Sequence, residues 1–181
     1  WSMTDSWDKG RCEAGMVVEG TRVTKVFGGG DLTSVFGTLM LTEGSHCWGV
    51  QLDAYSTTNE NVMIGVAKPD VPLDAVRQVW WSKVDPSVLV GSSLWFIKSR
   101  GSNSTSAWPH QAALELDMKP GDKFDVEVDL DAGTVDFMKE GECLSHQEGV
   151  TGPVSIWINF HYDGNCVSLY ERTSLLSKAA K

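Results

Sequence analysis

The chain has 181 residues, 41% hydrophobic and 22% charged, which suits a folded domain and lies far from the disordered range. Its formal net charge of −9 makes nucleic acid an unfavourable partner, because an acidic surface repels phosphate backbones. No apolar stretch approaches the roughly 20 residues that a membrane-spanning helix needs, so no membrane attachment is expected.

The first punctuation is Gly28-Gly29-Gly30, read as a flexible or sharply turning loop between strands. After the turn at Glu43-Gly44, Trp48, Val50 and Leu52 alternate with polar residues, the period-two pattern of a half-buried strand. Val62-Met63-Ile64-Gly65-Val66-Ala67 is a continuous apolar run, as expected of a strand covered on both faces. From Lys68 to Met118 the pattern is least regular. Pro69, Pro72, Pro86 and Pro109 break it into loops and short strands, one of them Leu94-Trp95-Phe96-Ile97.

Regularity returns at Lys123-Phe124-Asp125-Val126-Glu127-Val128-Asp129-Leu130, where every second residue is apolar and the others are charged. Asp131-Ala132-Gly133 turns the chain into a second strand, with Val135 and Phe137 inward and Asp136 outward. Glu140-Gly141 makes a further turn. Val154, Ile156, Ile158 and Phe160 alternate again, and Val167-Ser168-Leu169 closes the sheet. The tail Ser174–Lys181 has room for one or two helical turns, and a helix that short is marginal alone. The expected architecture is an all-β, two-sheet antiparallel β-sandwich in one domain over residues 1–181. Its core runs from about residue 7 to 171, with a short tail over 172–181.

Little here resembles catalytic or metal chemistry. Cys12, Cys47, Cys143 and Cys166 stand far apart with no C-x-x-C pair, so reduced thiols in an intracellular (cytoplasmic) protein are expected; the count also allows two disulfides. His46, His110, His146 and His161 form no H-E-x-x-H or G-x-S-x-G arrangement, and neither Cys143 nor Cys166 has a histidine at a supporting spacing. Asp129-Leu130-Asp131 lacks the further ligands of a calcium loop, and the triple glycine lacks a phosphate-loop continuation. No enzyme activity, cofactor or metal is expected. Aromatics on loops remain: Phe27, Trp80, Trp81 and Tyr162, each suited either to core packing or to ligand contact.

Several phrases, in order, resemble the SPRY (B30.2-like) family. They are Glu43-Gly44-Ser45-His46-Cys47-Trp48-Gly49-Val50, then Met63-Ile64-Gly65-Val66-Ala67, then Gly121-Asp122-Lys123-Phe124-Asp125-Val126 with Gly133-Thr134-Val135-Asp136-Phe137. Lys139-Glu140-Gly141 stands where the family usually has Asn-Gly. Gly65 to Val76, with Leu89-Val90-Gly91-Ser92 and Ser93-Leu94-Trp95, is similar to the SPRY proteins that carry a SOCS box. That likeness implies a lectin-like jelly-roll sandwich whose loops grip a short extended peptide, within a scaffold or a ubiquitin-ligase substrate receptor. Carried over by position, it implicates Lys25, Phe27 and Gly29, then Gln78, Trp80 and Trp81, then Tyr162, Asp163 and Gly164. The departures are Lys25 in place of an arginine, with loss of a forked grip, Phe27 and Gly29 in place of proline and alanine, and no SOCS box after Arg172. A module that packs within a larger assembly and a carbohydrate-binding sandwich are the competing readings.

Overall fold

The charged-apolar alternation around residue 125 folds as the sequence dictates. In the computed structural model, which describes residues 5–28, 32–55, 62–74, 93–99 and 115–172, β9 (Lys123–Asp129) and β10 (Thr134–Lys139) form the expected antiparallel hairpin. Val135 lies opposite Val128 and Phe137 opposite Val126, all four buried, while Asp136 pairs with Glu127 on the other face. The Asp129 carboxylate accepts the amides of Asp131 and Ala132, each at 2.9 Å, and Gly133 takes a φ of 70°. The D-x-D fragment is therefore a turn built on an aspartate side chain.

Numbered along the chain, the strands before this hairpin are β1 (Trp7–Cys12), β2 (Met16–Glu19), β3 (Arg22–Lys25), β4 (Thr33–Gly37), β5 (Ser45–Ala54), β6 (Val62–Ala67), β7 (Leu94–Ser99) and β8 (Glu115–Leu116). After it come β11 (Glu142–Glu148), β12 (Ser155–Phe160) and β13 (Cys166–Tyr170). One sheet has the order β1-β4-β12-β6-β7-β8, the other β11-β10-β9-β5-β13-β3-β2. The pairing is antiparallel apart from β7 with β8, which run parallel. The tail over 173–181 lies outside the described residues.

The sheets pack face to face. Trp48, Val50, Leu52, Phe124, Val126, Phe137 and Val167 from one meet Val35, Ile64, Val66, Trp95, Ile156, Ile158 and Phe160 from the other in one apolar core. Each such side chain contributes roughly 1.5–3 kcal/mol on leaving water. A second cluster, Phe36, Met63, Ala67, Leu94, Phe96 and Trp157 with Val71, lies on the other face of the six-stranded sheet. This is why β6, β7 and β12 are buried at every position and β6 reads as an unbroken apolar run.

One buried carboxylate bolts the sheets together. Asp5, just before β1, is 9% exposed. Its Oδ1 accepts the Ser6 amide at 2.8 Å, the Thr38 hydroxyl at 2.7 Å and the Leu39 amide at 2.9 Å, and its Oδ2 accepts the Trp48 indole N–H at 2.7 Å. Thr38 and Leu39 follow β4 of one sheet, and Trp48 belongs to β5 of the other. A charged acceptor filled this way strengthens each bond, and its removal strands buried donors. Gly37 leaves the room: a Cβ there would meet Asp5 Oδ2 at 2.8 Å.

Two outcomes are expected in urea unfolding. Asp5→Ala lowers stability by about 3 kcal/mol; a loss below roughly 0.5 kcal/mol would remove the carboxylate from this role. Glu140, at the β10–β11 turn, holds a φ of 52° ahead of Gly141 at 81°, a left-handed pair that disfavours glutamate. Glu140→Asn therefore raises stability by roughly 0.5–1 kcal/mol, and an unchanged midpoint would sink the idea of strain at this turn.

Candidate functional site

Lys25 ends β3, where alternation aims it inward beside Val23, and it is fully buried. A lysine in that position must find acceptors, since stripping water from an ammonium costs several kcal/mol. Its Nζ donates to the carbonyl of His161 at 2.7 Å. Its backbone is engaged with the same segment: the Lys25 amide donates to Asn165 O at 3.0 Å, and the Gly164 amide donates to Lys25 O at 2.8 Å. The loop joining β12 to β13 thus lies against the exit of β3.

That loop is built for the placement. Asn165, fully buried, donates from Nδ2 to Tyr162 O at 2.9 Å, tying the loop to its own base. Gly164 takes a φ of 90°. The His161 and Tyr162 rings lie 4.1 Å apart, tilted by 31°. His161 is buried, Tyr162 half-buried, and Asp163 and Gly164 exposed.

On the β3 side the chain continues outward. Both Val26 N, at 2.8 Å, and Phe27 N, at 3.3 Å, donate to Gly15 O. Gly15 is there by necessity: its φ is 95°, and any Cβ would overlap the Phe27 carbonyl oxygen. With its backbone held, Phe27 presents its ring to solvent at 62% exposure, beside Val26 at 48% and Val17 of β2 at 44%. These are the exposed large hydrophobic side chains among the described residues.

Of the positions implied by resemblance, Lys25, Phe27, Tyr162, Asp163 and Gly164 come together at one end of the sandwich. Gly29, Gln78, Trp80 and Trp81 lie outside the described residues. Lys25 stands beneath this surface, with its ammonium on the chain's own carbonyl. Sequence reasoning passed over Gly15, Val26 and Asn165, and weighed His161 only as a catalytic residue. Only Gly15 carried a signal, a glycine two residues after Glu13 where a turn between short strands needs a positive φ.

The reactive side chains elsewhere are tuned away from nucleophilic chemistry. The four cysteines are free thiols. Burial, reinforced by Glu127 and Asp125, pushes the Cys47 thiol up to about 12. Burial and the Asp136 carboxylate also raise Cys143, whose Sγ lies 3.7 Å from that carboxylate. A nucleophilic thiol needs the opposite shift. His146 Nδ1 meets the same Asp136 at 2.6 Å, which raises the imidazole, whereas burial lowers His46, packed edge-on against Trp48 at 4.5 Å. Cys166 accepts hydrogen bonds from Arg22 Nε and Thr24 Oγ1, both at 3.1 Å, in a group completed by Asp53 and Ser168. No three His, Cys, Asp or Glu side chains among the described residues are grouped to hold a metal. No described helix is long and apolar enough to cross a membrane.

Two largely antiparallel sheets packed face to face, with loops joining their strands at the ends, define a β-sandwich domain. The SPRY domain family model matches residues 45–166, more than half of the chain, and the chain belongs to that family. SPRY domains are modules of protein–protein interaction rather than enzymes. Among solved structures the fold is similar to the SPRY domain of human HERC1, at 17% identity and a TM-score of 0.64, covering 92% of this chain and 98% of that one. It is also similar to the TRIM65 PSpry domain, at 16% identity and a TM-score of 0.65, covering 94% and 93%. No curated protein matches the chain by sequence.

Gly15→Ala is expected to cost more than about 1 kcal/mol, because its φ is unfavourable to alanine and the Phe27 carbonyl must move. In amide NMR spectra the shifts should concentrate at Phe27 and the Tyr162–Gly164 loop. A variant with wild-type stability and unchanged loop resonances would show that Gly15 does not hold this corner.

Proposed function

We propose that the end of the sandwich formed by Phe27 and the Tyr162–Gly164 loop binds a short, extended segment of a partner protein. The observation that carries the reading is the exposure of Phe27, 62%, on a backbone tied down at Gly15. An aromatic ring held out on a fixed loop offers a large contact area at little entropic cost, the property of interface anchors. Tyr162, half-buried against His161, adds a second ring on the neighbouring loop. The likeness of Gly65–Val76 to SPRY domains of SOCS-box proteins makes an intracellular scaffold or ubiquitin-ligase substrate receptor the setting we propose, with Gly29, Gln78, Trp80 and Trp81 as further contacts.

The test is selection of a displayed random heptapeptide library on the immobilised domain, beside a Phe27→Ser/Tyr162→Ala variant with matching circular dichroism and melting temperature. Peptides enriched on the unaltered domain should bind the variant at least about 10-fold more weakly, a loss of about 1.4 kcal/mol or more. Peptides that bind both equally well would move the site elsewhere, and no enrichment at all would end the peptide reading in favour of a module that packs on a folded surface.

A further inference from the structure

We infer that Lys25 is a positioning residue of this site: its buried ammonium holds the Tyr162–Gly164 loop in its binding conformation from below, and the bound segment never touches it. The inference rests on the reading of this loop end as the binding site, and it gives Lys25 a role different from the ligand-facing charge that its place in the sequence implies.

The geometry points there because Lys25 directs its ammonium, its amide and its carbonyl at one segment. The ammonium takes the carbonyl of His161, where the loop begins. The amide and carbonyl take Asn165 O and Gly164 N, where it ends. The loop is therefore clamped at both ends by a single residue of another strand, and Asn165 closes it internally through Tyr162 O. Full burial of Lys25 separates its charge from anything approaching from solvent, while Phe27, Tyr162, Asp163 and Gly164 are the parts of the site that solvent reaches. A loop tied by backbone bonds alone would have a looser entrance at His161, and closing that entrance is what the ammonium adds. If the competent loop conformation is populated only in part without it, apparent affinity falls in proportion, even though the complex once formed is unaltered.

This mechanism has a kinetic signature. Lys25→Met keeps the apolar stem and removes the donors. With a heptapeptide selected on the unaltered domain as probe, association with the variant should slow at least about 5-fold while dissociation stays within about 2-fold, because the bound complex is the same. Faster dissociation with unchanged association would make Lys25 a ligand contact and overturn the inference; so would rates that do not move. Amide exchange supplies a readout independent of any ligand: Tyr162–Asn165 should exchange at least about 10-fold faster in the variant with β9 and β10 unchanged, and wild-type protection of the loop would overturn the inference. Should the variant fail to fold, the unaltered chain decides through the scalar coupling between Lys25 ¹⁵Nζ and His161 ¹³C′, whose presence supports the clamp and whose absence ends it. Failure of peptide selection counts against the binding site, whereas failure in exchange or coupling counts against the clamp.

Discussion

The Asp5 carboxylate is the constraint on which the relation of the two sheets depends. Apolar packing between sheets is not directional and tolerates sliding; a carboxylate with four donors at fixed angles does not. Asp5 binds the Trp48 indole on one sheet and the Thr38 hydroxyl and Leu39 amide after β4 on the other, so it fixes how the strands of the two layers are offset. The bolt also lies far from the site. Thr33, at the start of β4, pairs with Phe160 beside the candidate loop, and Gly37 ends β4 at the opposite side. Likewise Ala54 of β5 pairs with Cys166 next to that loop, and Trp48 lies six residues back. One end of the sandwich is locked by polar bonds to the chain start, and the other presents loops.

The loop end follows the same physics with the opposite sign of charge. A buried ammonium, like a buried carboxylate, stays charged only if the chain surrounds it with partners, so each imposes a defined backbone path on its neighbours. Lys25 imposes one on residues 161–165, and Gly15 permits the path of residues 26 and 27. The buried side chains Lys25 and Asn165 turn inward to hold backbone. The apolar side chains of Val17, Val26 and Phe27 turn outward, and Asp163 is exposed on the neighbouring loop. That division separates a scaffold from its contact surface within three residues of β3.

How far this was legible in the sequence depends on which faces a strand buries. β5, β9, β10 and β12 carry one core face and a distinct other face, so alternation marks them, and β6 betrays itself as a solid apolar run. β4 gives no such signal because Thr33 and Ser34 are buried polar residues among Val35 and Phe36. Ser34 is tolerated there because its amide donates to Glu13 and its hydroxyl accepts from Asn159, partners 21 and 125 positions away that no local window contains. β2 and β3, four residues each, are too short for a period to declare itself, and β11 is a mostly exposed edge with polar side chains. The site was legible only as a set of positions implied by resemblance. The inward turn of Lys25 hinges on a carbonyl 136 residues away, a contact that only the folded register creates.

Several buried polar groups at both ends of the sandwich serve to hold the chain's own backbone. A catalytic site needs polar groups that converge on an open point with proton affinities near the working pH. Asp5 is engaged by four donors, Lys25 by the His161 carbonyl and Asn165 by the Tyr162 carbonyl, so these three groups hold the chain itself. Tyr170, raised by burial and by its bond to Asp125, keeps its proton, and Cys47, pushed up to about 12, is a packing residue on the strand beside it. His146, the histidine raised by a carboxylate, stands exposed on the β11 edge, on the sheet's polar face. Because Asp136 stabilises the imidazolium, the folded chain gains from this pair below the ordinary histidine range and loses that gain as pH rises through the raised value. His46 has the opposite sign, since burial disfavours its charged form and its contribution fades as pH falls through the lowered value. Both effects act on the frame, on strands β5, β10 and β11.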